Sequence, residues 1–279
     1  MCIAGLSLNS HPRFPFILLF NRDESFHRPT QSLAWWTTHP QSVLGGQDLR
    51  GGGTWLGINR IGVFSALTIF WEEDADELQR QCAGFSAPLG ADSGEYRTRG
   101  AVPLEVVKSE KSLENTLSGL RQMLPYFKSF NIFAGNAHTR QAYYLSHSTL
   151  NPTQFQELEP GVHCLSNGLL DAPKPKVQLL KTKLKDWLTT REDFEPEELF
   201  EVMEDTSLVV EEGQDPNDNI FVKTYTENIV GRDEPYGTTS TAIIAVTPDN
   251  HVIFLEKSWD EAQQSFTLAR EEFVIESRC

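Results

Sequence analysis

The stretch that decides the fold is the opening of the chain, Met1-Cys2-Ile3-Ala4-Gly5-Leu6-Ser7-Leu8, followed after a short polar segment by Phe16-Ile17-Leu18-Leu19-Phe20-Asn21-Arg22-Asp23-Glu24. Each half contains an apolar run of strand length, and the Asn9-Ser10-His11-Pro12 segment between them is typical of a turn. We therefore predict a β-hairpin whose two strands are buried on both faces.

An ionic cluster, Asn21-Arg22-Asp23-Glu24, ends the second predicted strand. Packing alone does not explain it, because charged groups at the rim of a core lose hydration unless they are paired. Antiparallel pairing would bring Arg22 and Asp23 back beside Cys2. The alternative is a solvated strand end with a local ion pair that contributes ~0–1 kcal/mol.

Cys2 directly follows the initiator methionine. If Met1 is removed, Cys2 carries a thiol and a free α-amine, and an amine with a pKa of about 7.7 to 8 can accept the thiol proton at neutral pH. Cysteine is also one of the most frequently buried residue types, so Cys2 is equally compatible with a small core side chain. Both interpretations stay open at this point.

Composition limits the class of protein. The chain has 279 residues, of which 39% are hydrophobic and 10% aromatic, so it can bury a substantial core, and its length fits one large domain as well as two smaller ones. The sequence shows no internal repeat and no clear interdomain linker, and we predict one domain over residues 1–279. Its formal net charge of −15 argues against nucleic acid and anionic membranes as partners. The acidic runs at 72–77 and 192–198 are expected to be solvated faces or helix starts.

Cysteine usage and hydropathy predict a cytoplasmic protein. Cys2, Cys82, Cys164 and Cys279 are widely spaced and contain no C-x-x-C pair, which favours a reducing compartment over a disulfide framework. No stretch reaches the ~18 apolar residues of a membrane span, so we expect no transmembrane segment. No metal site with zinc-type ligand spacing is expected either.

Further along the chain, strands and helices occur in blocks. We predict a hairpin of Thr54–Ile58 against Val63–Ile69, helices near residues 104–109, 113–124, 174–190 and 197–204, and strands in the 130–167 and 241–275 regions. Two mainly antiparallel sheets with helices outside fit this order better than β-α-β alternation, which makes the fold class α+β. The polar segment 72–99 is expected to be a mobile loop or lid.

Several motifs together resemble the NRDE-motif family, also called the Transport and Golgi organisation protein 2 family. These are Met1-Cys2-Ile3, Asn21–Glu24 with Arg28-Pro29, Gly52-Gly53-Thr54-Trp55-Leu56-Gly57-Ile58, Leu165-Ser166-Asn167 and Tyr236-Gly237-Thr238. The resemblance extends over nearly the whole chain. It implies the N-terminal nucleophile (Ntn) hydrolase fold, a four-layer αββα sandwich.

The resemblance also implies catalytic roles. As in related acylases, Cys2 would be the nucleophile, Arg22 would lower the thiol pKa and hold substrate, Asp23 would orient the α-amine, and Asn167 would be an oxyanion donor. The loss of one such donor typically costs on the order of 100- to 1,000-fold in rate.

Two positions depart from the pattern. Ile69 stands where the family commonly has asparagine and Thr239 where it has arginine. An isoleucine cannot donate a hydrogen bond and a threonine cannot replace a guanidinium charge.

The family resemblance ranks two functions. The first is binding and trafficking of a hydrophobic small molecule, with haem before acyl-CoA or another lipid, and with Asn21, Glu24, Gly53 and Trp55 as ligand-binding residues. Haem would be cargo, since no cofactor is required, and Cys2 or a histidine such as His163 could ligate its iron. The alternative is an Ntn-type cysteine amidohydrolase acting on non-peptide amide bonds. Partner proteins are not specified.

Overall fold

The computed structural model describes residues 2–36, 43–72, 96–209, 214–229 and 231–276. The chain forms two compact units. Unit 1 comprises residues 1–28 and 159–274, and unit 2 comprises residues 29–158 and 275–279. The single domain predicted for residues 1–279 stays a prediction.

The described residues contain strands and helices that we number separately in chain order. The strands are β1 (Ile3–Leu8), β2 (Phe16–Ser25), β3 (Thr30–Trp36), β4 (Val43–Asp48), β5 (Leu56–Asn59), β6 (Val63–Ile69), β7 (Phe130–Asn136), β8 (Gln141–His147), β9 (Gln154–Glu157), β10 (Gly161–Leu165), β11 (Tyr225–Ile229), β12 (Arg232–Val246), β13 (His251–Asp260) and β14 (Ser265–Val274). The helices are α1 (Ala101–Val107), α2 (Leu113–Met123), α3 (Pro175–Thr190) and α4 (Phe200–Met203). Short 3₁₀ turns occur at Leu124–Tyr126, Pro196–Leu199 and Pro216–Asp218.

Unit 1 contains an antiparallel sheet in the order β10-β1-β2-β12-β13-β14, with β11 added to β12. The predicted opening hairpin lies at its centre, with Ile3 paired to Asn21 and Leu8 paired to Phe16. Nearly every residue of β1 and β2 is buried, because both strands have neighbours on each side and their side chains are covered on both faces.

Helix α3 packs on β1 and β10 of this sheet. Pro175 fits its first turn, where the missing N–H has no intrahelical partner. The helix lies directly over Gly5, because a Cβ at this position would be in van der Waals contact, at 3.4 Å, with the side chains of Leu180 and Leu184. The apolar stripe of α3 therefore lies directly over the first strand.

Unit 2 contains a second antiparallel sheet in the order β3-β4-β5-β6-β7-β8-β9, together with α1 and α2. The predicted hairpin of residues 54–69 is confirmed as β5 and β6, with Leu56 paired to Ala66. Ser112 caps α2 by accepting a hydrogen bond from the Asn115 N–H.

The α+β class with two mainly antiparallel sheets is confirmed, although individual elements differ from the predictions. The predicted helix at 197–204 is instead a 3₁₀ turn followed by the four-residue α4. Glu72 does not belong to a solvated face. It is buried and accepts hydrogen bonds from the Ser129 and Ser148 hydroxyls and the Thr149 N–H. The rest of the predicted lid lies mostly outside the described residues.

Candidate functional site

The pairing of β1 with its two neighbours places the predicted catalytic residues at one end of the unit 1 sheet. Ile3 pairs with Asn21 on β2, so Cys2 lies one step further, at the level of Arg22. On the other side Ala4 pairs with Leu165, so the chain after β10 runs past Cys2. There the Ser166 hydroxyl donates a 2.8 Å hydrogen bond to the Cys2 carbonyl oxygen.

The Cys2 thiol lies among ionisable groups although the residue is only 9% exposed. Burial raises the pKa of Cys2, and the Asp23 carboxylate acts in the same direction. The Asp23 backbone N–H, which donates to the sulfur, and the Arg22 guanidinium act in the opposite direction. The thiol is therefore neutral at pH 7 until a base accepts its proton.

Arg22 is buried beside a β-bulge. The pairing of β2 with β12 shifts register between Thr238 and Ser240, so Thr239 is the extra residue of the longer strand. The Arg22 Nη1 donates to the Thr239 hydroxyl at 3.1 Å, and that hydroxyl donates to the Arg22 carbonyl oxygen at 3.2 Å. The threonine that departs from the family pattern thus orients the guanidinium.

Asp23 is held from two positions on β12. The Thr238 hydroxyl donates a 2.7 Å hydrogen bond to Asp23 Oδ1, and the Tyr236 hydroxyl donates to the Asp23 carbonyl oxygen at 2.9 Å. Burial raises the pKa of Asp23, whereas the charges of the terminal amino group and Lys176, the Thr238 hydrogen bond and Arg22 oppose this effect. The carboxyl group is fixed in position, and its charge state depends on these neighbours.

Asn167 completes the set that sequence reasoning proposed as catalytic. Its side chain is buried, and Oδ1 lies 3.2 Å from the Ser166 hydroxyl. The Ser166 hydroxyl has a single proton, which it donates in the shorter bond to the Cys2 carbonyl oxygen. The structure thus brings Cys2, Arg22, Asp23 and Asn167 together at one end of the same sheet.

The two remaining residues of the ionic cluster have different surroundings. Asn21 is fully buried and its Nδ2 donates 2.8 Å hydrogen bonds to the carbonyl oxygens of Met203 and Ile220. Glu24 is partly exposed, lies 3.6 Å from Arg28 Nε, and accepts a hydrogen bond from the Ser25 N–H. Asn21 therefore anchors neighbouring segments of unit 1.

Gly53 and Trp55, the other two predicted ligand-binding residues, belong to unit 2. A Cβ at Gly53 would lie 2.3 Å from the backbone of Gly100, so glycine is required there for close backbone approach. The Trp55 ring is buried against Gly46. Their ligand-binding role stays a prediction, and both positions have a packing function.

The structure also places Ile69, which departs from the family pattern, and two polar residues, Asn136 and Arg232, whose side chains could have replaced the missing asparagine and arginine. Ile69 pairs with Phe130 in unit 2. Asn136 donates to the Ile61 carbonyl oxygen and accepts from the His138 N–H, which stabilises a turn. Arg232 is exposed at the start of β12.

His163, the suggested haem ligand, has contacts at both ring nitrogens. Its Nε2 lies 2.8 Å from the Glu159 carbonyl oxygen and its Nδ1 lies 3.5 Å from Asp171 Oδ2. Within the described ranges, no group of three or more His, Cys, Asp or Glu side chains could hold a metal ion. Across the same residues, no helix combines the length and apolar character needed to cross a bilayer.

Sequence reasoning missed Lys176, Ser166 and the contact made by Thr238. Ser166 and Thr238 were within quoted motifs, but their partners depend on strand pairing. The burial of Lys176 could have been predicted from the sequence. Lys176 precedes Leu180 and Leu184 by four and eight residues, so it lies on the buried stripe of α3. A lysine on such a stripe indicates a buried charge.

The fold is that of the Ntn hydrolases, as the sequence predicted. The structure is similar to the C2A mutant of conjugated bile acid hydrolase from Clostridium perfringens, with a TM-score of 0.56 and 10% identity over 98% of this chain and 92% of that chain. It is also similar to the Caenorhabditis elegans N-acylethanolamine-hydrolyzing acid amidase ortholog, with a TM-score of 0.52 and 10% identity over 88% and 93% of the two chains.

Sequence comparison identifies the family. The model of the Transport and Golgi organisation 2 family matches residues 1–261, so the chain belongs to this family. The chain is 27% identical to the Transport and Golgi organization 2 homolog of Mus musculus and 26% identical to that of Homo sapiens. Each alignment covers 96% of this chain and 99% of the relative.

Proposed function

We propose that this protein hydrolyses an amide or thioester bond of a hydrophobic acyl compound, with Cys2 as the nucleophile. The observation that carries the proposal is the burial of a thiol at the end of two core strands together with a carboxyl group, Asp23, and a guanidinium group, Arg22, both of which act on its pKa. A carrier of apolar ligands has no need for this arrangement, because each buried charge costs several kcal/mol.

The reaction needs removal of Met1, which creates the α-amine of Cys2. That amine accepts the thiol proton, and the thiolate attacks the acyl carbonyl carbon to form a C–S bond. The C–N or C–S bond to the leaving group then breaks, and the amine returns the proton to the leaving group. Water hydrolyses the thioester on Cys2, releases a carboxylic acid and restores the thiol.

The surrounding side chains have separate roles in this proposal. Asp23 orients the α-amine, Arg22 stabilises the thiolate and contacts polar atoms of the substrate, and the Asn167 NH₂ donates to the oxyanion. Loss of such a donor is expected to reduce the rate on the order of 100-fold or more. Asn167 directly follows Ser166, whose hydroxyl donates to the Cys2 carbonyl oxygen, and this position next to Cys2 supports its role.

The substrate class follows from two considerations. The fold neighbours include hydrolases named for conjugated bile acids and N-acylethanolamines, which are amides with a large apolar acyl group. An acyl-CoA thioester has the same acyl carbonyl and the same requirement for an apolar acyl site. N-acyl amides and acyl thioesters are therefore the two classes to test.

The first experiment is the intact mass of untagged protein, followed by incubation with an N-acylethanolamine, a conjugated bile acid and an acyl-CoA. The proposal predicts absence of Met1 and an acyl adduct on the Cys2 peptide. Cys2→Ala should abolish the adduct, whereas Cys164→Ala, which removes the other buried free thiol of the described residues, should retain it. Retention of Met1, or no adduct with any of the three classes, contradicts the proposal.

The second candidate is a carrier of an anionic hydrophobic molecule, with haem before acyl-CoA. It is favoured by the neutral state of the buried thiol, since burial raises the pKa of Cys2 and weakens its nucleophilic character. Arg22 would contact the carboxylate of the ligand. Titration with haem should then give a shifted Soret band that weakens in Arg22→Met and is retained in Arg13→Met. An unchanged haem spectrum argues against haem as cargo.

A further inference from the structure

Lys176 in the first turn of α3 is a lysine with a buried ammonium group. The residue is 4% exposed, and its Nζ donates a 2.7 Å hydrogen bond to the Asn217 carbonyl oxygen. That bond occupies one of the three N–H groups of the ammonium. Burial of an ammonium ion is costly unless an opposite charge lies nearby, so Lys176 requires a counter-charge.

The groups that act on Lys176 include the two central residues of the candidate site. Burial lowers the pKa of Lys176, and the charges of Asp23, Cys2 and Asp218 oppose this effect, whereas Lys174 adds to it. The interaction is reciprocal, because Lys176 also favours the ionised form of Asp23.

The packing of α3 explains how a lysine reaches this position. Leu180 and Leu184 lie over Gly5 of β1, and Lys176 is one helical turn, about 5.4 Å, before Leu180 on the same stripe. Cys2 is three residues before Gly5 on the strand below. The hydrogen bond of Lys176 connects it to the same end of the sheet, because Asn217 begins a segment that reaches Val222. The Val222 N–H donates to the Thr238 hydroxyl, which donates to Asp23.

We propose that Lys176 is a positioning residue of the Cys2 site, whose buried ammonium is a counter-charge of the Asp23 carboxylate. An ionised Asp23 accepts a hydrogen bond from the α-amine of Cys2, whereas a protonated carboxyl group would compete as a donor. Besides Lys176, the ionisable groups that act on Asp23 include Cys2, Arg22, Tyr236 and the terminal amino group. The consequence for catalysis rests on the proposed hydrolase function, but the charge state of Asp23 can be measured without it.

The test is a pH titration of the Asp23 side-chain carboxyl group by ¹³C NMR of protein labelled at aspartate, with Asp23→Asn to assign its signal. Lys176→Met should raise the titration midpoint of Asp23 by about 1 to 2 pH units, because an opposite charge is lost. Lys176→Arg should restore most of the shift. Lys181→Met is the control, since Lys181 is on the same helix but pairs with Asp171 at 2.6 Å.

An unchanged Asp23 midpoint in folded Lys176→Met would overturn the proposal. A measurement on the unmodified protein covers the case in which this variant does not fold: the ¹³Cε signal of Lys176 should show an ammonium group throughout the pH range in which Asp23 ionises. A neutral Lys176 amine in that range also overturns the proposal. If the Asp23 midpoint shifts but the wild-type protein hydrolyses nothing, the hydrolase proposal fails and the role of Lys176 remains.

Discussion

Replacement of Asn21 by leucine tests whether the first residue of the ionic cluster stabilises the fold or binds a ligand. Its Nδ2 donates to two carbonyl oxygens, those of Met203 and Ile220, both at 2.8 Å. Met203 is the last residue of the four-residue α4, where carbonyl groups have no intrahelical partner. Leucine has a similar volume, so the substitution removes the hydrogen bonds and creates little cavity.

The expected loss of stability follows from the two carbonyl groups that become unpaired. Each buried acceptor without a donor costs about 1 to 3 kcal/mol, so Asn21→Leu should lower the free energy of unfolding by about 2 to 6 kcal/mol. For a chain of this size, this corresponds to a decrease in Tm of roughly 4 to 12 °C.

Thermal unfolding followed by tryptophan fluorescence and by circular dichroism measures this change. Asn115→Leu is the matched control, because Asn115 is exposed on α2 and should change the free energy of unfolding by less than about 0.5 kcal/mol. Below the unfolding transition, the pH dependence of Cys2 alkylation should be the same in Asn21→Leu and wild type. A Tm within 1 °C of the wild-type value, combined with loss of ligand binding or hydrolysis, would refute the structural role of Asn21.

Three further predictions concern other positions. Gly53→Ala should destabilise unit 2 by about 3 kcal/mol or more in urea unfolding, because its Cβ would overlap the Gly100 backbone, whereas Gly119→Ala on α2 meets no atom within 4 Å and should stabilise the protein by about 0.5 to 1 kcal/mol. Thr238→Val should raise the NMR titration midpoint of Asp23, because the hydroxyl that donates to the carboxylate is lost. Burial would raise the pKa of Asp171, but hydrogen bonds from His163, Lys181 and the Cys164 N–H hold it at about 2. Since this folded-state pKa lies below the unfolded value, Asp171→Asn should cost roughly 1 to 2 kcal/mol at pH 7 in urea unfolding, and the difference from wild type should disappear as the pH falls from about 4 to 2.

The opening hairpin could be predicted because its signal is local. Two apolar runs separated by a polar turn have one simple pairing, and that pairing places Arg22 beside Cys2. In contrast, β3 and β4 were missed, because the Trp35-Trp36 segment shows no clear alternation and Gly45 resembles a loop residue. Glycine is needed at position 45 because a Cβ would lie 2.4 Å from the Leu56 carbonyl oxygen. This close approach to β5 becomes evident only in the folded sheet, so the sequence alone does not explain the glycine.

The contacts of the site depend on details that a single sequence does not encode locally. The bulge at Thr239 arises from the pairing of β12 with β2. Thr239 stands where the family commonly has arginine, and at the bulge its hydroxyl accepts a hydrogen bond from Arg22. The extension of β12 to Arg232 was missed for a similar reason, since its first residues are polar and pair only with β11. Lys176 could have been found from its spacing to Leu180 and Leu184.

The alternation of β2 separates the functions of its last residues. Asn21 and Asp23 lie on one face of the strand, and Arg22 lies on the other. Asn21 contacts the Met203 and Ile220 carbonyl oxygens, Asp23 contacts the Thr238 hydroxyl of β12, and Arg22 contacts Thr239. Asn21 satisfies buried carbonyl groups and so has a structural explanation. Arg22 and Asp23 do not, because apolar residues at the end of a core strand would avoid their desolvation cost. The burial of a guanidinium and a carboxyl group beside a thiol is therefore the feature on which the proposed role of Cys2 rests.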